Sequence, residues 1–521
     1  MNILFIGHGF AFKMFYTLKD FLSRHLEINK SAFYISHSLF YSQCEQDHPG
    51  MDRFSFLKEW EIIREASGLR ADPFLIRQYE IRLGDPFLWP ALVADRRLYL
   101  GSHSMFRQDY SPRFTHEDML KILQAALVRV ESFLDETAPD VILNYAPATF
   151  ADYLFYLFAR NRNITFLNLR STKIKNHVRV SPGIFGIPPD ISEQYQQYQK
   201  RDPRIQPDEW MNQALEYVTK GRESKLAYEG AVITKTTGKT DKRNPLGALY
   251  SLLKKEMSYR FGQLQYDLQA SGGFIIPMIY KRFIKPLKIA WFKKQFSSSL
   301  IREQQLKNLE YVFCPLHTEP EVALLVTARP FMNQIETLRL ISQSIPVHMK
   351  LLVKEHPVCM GKRSMAYYRK LLQIPNLLLV HPDLSTYSIL EHAKMTMTIS
   401  SSVAFESLLK GVPAITMSDR NPCPFSILPD HMIKNVTDPF ELARAADDLM
   451  KNFSYDKNAL IHYVAAVMRG SVPVDYYSAL LQRPDSRKTD LPAEEVTRQY
   501  DRLAQYLAQY ITGLKNRKQT G

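Results

Sequence analysis

"KMTMTISSSVAFESLLKGVPAITM", residues 394 to 417, holds an apolar run, three serines, a helical stretch and a second apolar run. Gly411 sits where the helical stretch stops, as a glycine after a helix commonly does. Strand, helix and strand in so short a span describe a parallel pair joined by a crossover, because parallel neighbours cannot be joined by a tight turn. The same alternation extends upstream. Strand candidates are "EYVFCPL" at 310 to 316, "HMKLLVKEH" ending at His356, and "NLLLVH" ending at His381. Between them lie "FMNQIETLRLISQ", "SMAYYRKLLQ" and "TYSILEHA" at helical spacing.

A second run of alternation opens the chain. "NILFIG" is closed by Gly7-His8-Gly9 and followed by a helical stretch; "SAFYIS", "PDVILNY" and "ITFLNL" are further strands, with helices at 117 to 135 and 150 to 163. Residues 185 to 305 interrupt the rhythm, being polar, helical in patches and then strongly basic. Residues 493 to 515 form a closing amphipathic helix. The expected fold class is α/β and GT-B-like, with two Rossmann-like domains facing across a cleft and a C-terminal crossing helix. The expected divisions are an acceptor-side domain at 1–184, a basic interdomain region at 185–305, a nucleotide-sugar domain at 306–485, and a helix and tail at 486–521.

Composition narrows the class. The chain has 521 residues, 45% hydrophobic and 12% aromatic, which suits two folded domains and not a disordered chain. Four cysteines without paired spacing argue for idle thiols in a reducing compartment and against a zinc site. The N-terminus has no secretory pattern, and no apolar run reaches the roughly 18 residues of a spanning helix. The net charge is +14, and between residues 232 and 294 13 Lys or Arg face only Asp241, Glu256 and Asp267. Within that segment "FIIPMIYKRFIKPLKIAWFKKQF" mixes large apolar side chains with cations, which suits either an anionic lipid surface or a helix pair with a solvated basic face. Nucleic acid is not expected, because no recognised RNA- or DNA-binding signature accompanies the charge.

The chemistry gathers at strand ends, where open α/β sheets bind ligands. His356 follows an apolar strand, and Pro357 holds it in extended geometry. Alone, that pair also describes a structural turn. Ser400, Ser401 and Ser402 begin a helix, where free backbone N–H groups and hydroxyls favour an anion. One serine suffices for an N-cap. The expectation is that His356 and the serines grip a phosphate, with Lys354 adding a cation. Glu406 either accepts from a ribose hydroxyl or faces solvent. His317, Glu319 and Glu321 in "PLHTEPE" suit sugar contact or proton transfer, with Glu319 the candidate for base work beside His356. No D-x-D occurs, so no metal site and no cofactor are expected; a phosphate held by His, Lys, Ser and a helix start needs none.

With these motifs on the page, residues 310 to 430 resemble the capsule polysaccharide biosynthesis family of bacterial GT-B glycosyltransferases, which includes Kdo transferases. The elements concerned are "PLHTEPE", "MNQIETLRLI", "LLVKEHP" and "TISSSVAFESLLKGVPAITM". The segment is also similar to bacterial sialyltransferases, whose His-Pro motif and downstream Ser-Ser pair hold the CMP of a CMP-sugar. The resemblance implies a ribose-binding acid between the two motifs, for which Asp383 is the nearest match. It implies an enzyme that transfers an acidic sugar, Kdo or a nonulosonic acid, from a CMP-sugar to a lipid-linked or glycan acceptor. The implied location is cytoplasmic, peripheral on the inner face of the bacterial inner membrane through residues 232–294. Two departures stand out. Many relatives carry a glycine after the serines, where this chain has Val403-Ala404-Phe405, and the acid expected from the first domain has no motif, Asp152 and Asp95 being the candidates. The alternatives are a UDP-sugar donor, a nucleotide-sugar epimerase, and a non-catalytic polysaccharide-export binding protein.

Overall fold

Two seven-stranded sheets carry the chain in the computed structural model. It describes all residues except 85–87, 105, 110, 146, 148, 185–186, 203, 224–244, 320–327, 419–422, 483–490 and 521. The first sheet holds β1 (Asn2–Gly7), β2 (Lys30–Ile35), β3 (Ser55–Lys58), β4 (Val141–Tyr145), β5 (Thr165–Ser171) and β6 (His177–Pro182). The second holds β7 (Leu300–Ile301), β8 (Tyr311–Pro315), β9 (Lys350–Lys354), β10 (Leu377–Val380), β11 (Met395–Thr398), β12 (Ala414–Thr416) and β13 (Ile433–Asn435). A short β14 (Val472–Pro473) returns to the first sheet and pairs antiparallel with β6.

Strand order is β14-β6-β5-β4-β1-β2-β3 in one sheet and β13-β12-β11-β8-β9-β10-β7 in the other. In each, the first long strand pairs on one side with the next strand in sequence and on the other with a strand reached by a crossover. That junction is a topological switch point, beside which such sheets leave a crevice at their carboxyl ends. The strands are apolar on both faces because helices cover both. Leu4, Phe5 and Ile6 of β1 and Leu351, Leu352 and Val353 of β9 are fully buried.

The helices of the first half start where their sequence says they should. α1 (Phe10–Leu22) follows the Gly-His-Gly turn. A Cβ at Gly7 would lie 2.6 Å from the Cα of Phe12, so only glycine lets β1 run this close to α1. α2 (His116–Thr137) and α3 (Phe150–Asn161) each begin with a capping box, Thr115 with Asp118 and Thr149 with Asp152.

The segment at 185–305 distributes between the two halves. α4 (Pro189–Gln199) and α5 (Glu209–Glu223) place Ile191, Tyr195, Ala214 and Val218 in a core shared with the second sheet's helices. Part of the basic stretch, 224–244, lies outside the described residues. The rest forms α6 (Pro245–Phe261) and a helical run from 275 to 295 that ends in α7 (Lys285–Gln295), tied together by Glu256, which accepts from the Phe274 and Ile275 N–H groups. Phe292 anchors α7 in the core of the second sheet.

α8 (Val403–Lys410) follows β11, and Gly411 closes it at φ 78°. α9 (Lys457–Arg469) packs against α4 and α5. The chain then crosses back: α10 (Ala493–Thr520) buries Leu503, Ala504, Leu507 and Ile511 in the core that also holds Ile3 and Phe5. The fold is therefore the expected GT-B-like plan of two Rossmann-like halves and a C-terminal crossing helix. The halves meet through their loops, where the Gln108 amide donates to Glu319 at 2.5 Å and the Gln108 N–H to the Lys362 carbonyl at 3.3 Å.

Candidate functional site

β8 and β11 are the two strands at the second switch point, and the residues just past their ends meet there. The Ser400 N–H points at His317 Nε2 from 3.4 Å, and Thr398 Oγ1 lies 3.2 Å from the same nitrogen. Nε2 is thus the acceptor, and the ring proton sits on Nδ1. Burial above all, then the neighbouring His356, Lys173 and Arg363, push the His317 pKa down to about 3. It is neutral at any physiological pH.

His356 is set at the end of β9 in the extended conformation that Pro357 requires, with φ −67° and ψ 130°. Its Nδ1 accepts from the Val358 N–H at 3.2 Å, which leaves the proton on Nε2 as a donor with no partner among the described residues. Burial, followed by the charges of Arg363, Lys354 and Lys362, lowers its pKa as well. Both rings are therefore uncharged hydrogen-bond donors in a cationic surrounding.

One buried ion pair holds both histidines. Arg363, 1% exposed, donates from Nη1 to both Glu355 oxygens at 2.5 and 2.7 Å and from Nη2 to the His317 carbonyl at 2.6 Å. Glu355 also accepts from the His356 N–H at 2.7 Å and the Tyr368 hydroxyl at 2.8 Å. Sequence reading missed this pair. Its signal was a glutamate at the end of a fully apolar strand, which needs a buried cation somewhere.

The serines divide their work. Ser401 Oγ accepts from the Val403 N–H at 3.2 Å, the local bond of an ordinary helix start. Ser402 occupies the N-cap position of α8 and makes no side-chain cap. Ser400 Oγ is buried without a partner among the described residues. A hydroxyl that has given up water and gained nothing costs roughly 1–3 kcal/mol, so its neighbourhood is built for something further.

The other expected residues scatter. Glu319 is 13% exposed, accepts from Gln108 of the first half and lies 3.8 Å from Arg363, so it joins the His317 and His356 cluster. Lys354 is buried, with Nζ 3.3 Å from Thr386 Oγ1. Asp383 does not join: it is 69% exposed, paired with Lys293 at 2.7 Å, and that lysine lowers its pKa. Glu406 is exposed on α8. Glu321 lies outside the described residues. The four cysteines are buried and free. Among the described residues no three His, Cys, Asp or Glu side chains gather to hold a metal ion.

The first half contributes groups that no motif flagged. His8, immediately past β1, bonds Asp152 through Nε2 at 2.9 Å and Ser36 Oγ through Nδ1 at 2.7 Å. Asp152 is fully buried and also accepts from Asn144 at 2.6 Å and from the Thr149 N–H at 2.8 Å. Burial lowers the His8 pKa, but the Asp152 carboxylate outweighs it and the net shift is upward. Asp95, the other acid considered, is locked with Glu59 around Arg97. Lys173, after β5, is held at φ 63° in the left-handed region and is close enough for its charge to be felt at His317 and Cys423.

No curated protein matches this sequence. Solved structures similar to the chain include the beta Kdo 2,7 transferase KpsC of Thermosulfurimonas dismutans, at 11% identity over 65% of this chain and 80% of that one, with a TM-score of 0.32. The beta Kdo 2,4 transferase KpsC of the same organism has 13% identity over 63% and 79%, with a TM-score of 0.33. The UDP-GlcNAc 2-epimerase of Neisseria meningitidis has 11% identity over 90% and 98%, with a TM-score of 0.28. Residues 277–419, which include every candidate from His317 to Glu406, match the family model of the capsule polysaccharide biosynthesis protein, so the resemblance expected from the motifs is found over this segment.

Proposed function

We propose that the protein is a glycosyltransferase of bacterial capsule or other surface polysaccharide synthesis. In this reading the phosphate of a nucleotide-sugar donor binds at the carboxyl ends of β8, β9 and β11. The observation that carries it is the convergence there of two neutral histidines and the orphaned Ser400 hydroxyl, backed by Arg363, Lys354 and Lys362. Departure of the nucleotide concentrates negative charge on that phosphate. His356 Nε2–H, the serine hydroxyls and the start of α8 donate to it, and one such preorganised donor is worth about 10²–10³ in rate. The donor is a CMP-linked acidic sugar, Kdo or a nonulosonic acid, because one phosphate suits a site without a carboxylate pair. No metal is required. Glu319 contacts the sugar in the cleft. His8, whose pKa the Asp152 carboxylate raises, takes the acceptor proton.

The basic helices would keep the enzyme on the cytoplasmic face of the inner membrane. Leu249, Leu253, Met257 and Phe261 of α6 and Phe283, Leu287 and Trp291 of the second helix are all exposed, interleaved with Lys254, Lys255, Lys281 and Arg282. Apolar side chains among cations suit an anionic lipid surface. Among the described residues no helix is long and apolar enough to cross a membrane.

The test is a thermal-shift comparison of CMP, UDP and GDP, with and without magnesium, on wild type and His356→Ala. Stabilisation by CMP alone, independent of metal and lost in the variant, supports the reading. Stabilisation by UDP instead keeps the site and replaces the donor; no shift with any nucleotide overturns the assignment.

A further inference from the structure

β5 and β6 run antiparallel, and their register sets Arg170 directly opposite Arg179. Among the described residues neither guanidinium has a carboxylate at ion-pair distance. Arg170 donates from Nη2 to the Ile184 carbonyl at 3.3 Å, and Arg179 from Nη1 to Ser181 Oγ at 3.2 Å. Arg170 Nε is buried with no partner among the described residues. Arg179 is 6% exposed and Arg170 is half-buried.

The electrostatics are unbalanced. Burial first, then the like charge of Arg179, push the Arg170 pKa down to about 10. Arg179 feels Asp190 and three tyrosines, and burial still lowers it. Like charges directly opposite each other on paired strands are destabilising, and a low-dielectric surrounding enlarges the effect. An anion between them would offset it, and two planar forks match the oxygens of a carboxylate or phosphate.

The position is also telling. Asn144 of β4 lies in register with Asn168 of β5, and Asn168 with Ser181 of β6. Because alternate residues share a face, the arginine pair continues that row toward the carboxyl end of the sheet. Asn144 donates to Asp152, which holds His8, and its own Oδ1 is buried without a partner. The loop that follows β5 carries Lys173 toward the second half.

We infer that Arg170 and Arg179 form a second oxyanion site, distinct from the nucleotide phosphate site, that receives a carboxylate or phosphate of the acceptor. Assigning the anion to the acceptor rests on the glycosyltransferase reading; the site itself does not. A uronate of the growing glycan and the phosphate of a lipid carrier present the same chemistry.

Thermal melting of the full chain separates these cases. Inorganic phosphate and glucuronate serve as probes at matched ionic strength, in a His356→Ala background that disables the nucleotide site. At about ten times its Kd, the anion that fits should raise Tm by about 2–4 °C. A response to glucuronate points to an acidic glycan, and one to phosphate alone points to a lipid carrier. Arg170→Met should melt no lower than its parent without anion, since a like-charge contact is gone, and should lose the anion increment. Arg170→Lys keeps the charge without the fork and should retain less than half of the increment. A parent that ignores both anions, or an Arg170→Met or Arg170→Lys protein that keeps the full increment, overturns the site. Absence of any nucleotide shift in the protein with His356 intact, beside a normal anion increment, would instead remove the donor reading and leave the oxyanion site standing.

Discussion

The two sheets repeat one device with opposite electrical outcomes. Each places a histidine just beyond its first strand at the switch point, His8 after β1 and His317 after β8, and each gives that ring a partner from across the crossover. For His8 the partner is the buried Asp152 carboxylate, and the pKa rises. For His317 the partners are a backbone N–H and a hydroxyl, and the pKa falls to about 3. Around the switch point of the first sheet the charges are paired, Asp152 against His8, and Glu59 and Asp95 against Arg97. The second has cations behind neutral donors and an unfilled hydroxyl. Identical topology therefore puts a histidine at the same place in each sheet, while burial and the nearest partner set the direction of its pKa.

The largest expected effect breaks the comparison at its base. Arg363→Met leaves Glu355 buried and uncompensated, at a cost of about 3–5 kcal/mol. Urea unfolding should show that loss, with nucleotide binding abolished in the protein that remains folded. A change under 1 kcal/mol would mean that Glu355 is not held as the geometry indicates.

His356→Ala removes a donor and little packing. Transfer should fall about 10²–10³-fold with stability nearly unchanged. Near-normal turnover would remove His356 from the phosphate. By contrast, His8→Gln should leave nucleotide binding intact and reduce turnover, because His8 belongs to the other half.

Acidity sharpens the contrast, since the two histidines carry opposite signs. His317, with a folded pKa near 3 against 6.5 unfolded, contributes stability that is present above pH 6.5 and is lost as pH falls from 6.5 toward 3. His177, pushed down to about 4 by burial, acts in the same direction. His8 has a raised folded pKa, so its contribution is complete below pH 6.5 and disappears as pH rises through the folded value. Tm measured against pH should flatten on the acid side in His317→Gln and on the neutral-to-alkaline side in His8→Gln. The same profile in both variants would refute the asymmetry.

The smallest effect concerns the membrane face. Replacing Lys281, Arg282 and Lys285 by Gln should weaken sedimentation with anionic vesicles by about 1 kcal/mol per charge and leave CMP binding unchanged. Equal recovery on neutral and anionic vesicles would argue for a merely solvated basic face.

The motifs of the second half were legible because their parts are local. His-Pro at a strand end and three serines at a helix start are each a few residues long, and backbone rules alone put them beside a crevice. Asp383 was picked out at the same level of detail, while the residue that engages it in the fold, Lys293, lies 90 positions away. His8 was in view between two glycines but had no visible partner.

The sequence by itself determined the two α/β halves, the crossing helix and the strand ends of the second sheet that carry the His-Pro and serine motifs, because apolar runs, caps and glycine stops act over a few residues. Only the tertiary structure decided which of those groups are charged. His8 meets Asp152 across 144 positions, Arg170 faces Arg179 through a strand register, and Lys173 reaches His317 across the two halves. Protonation follows burial and the nearest charge, and both are properties of distance in space, which no local pattern of residues encodes.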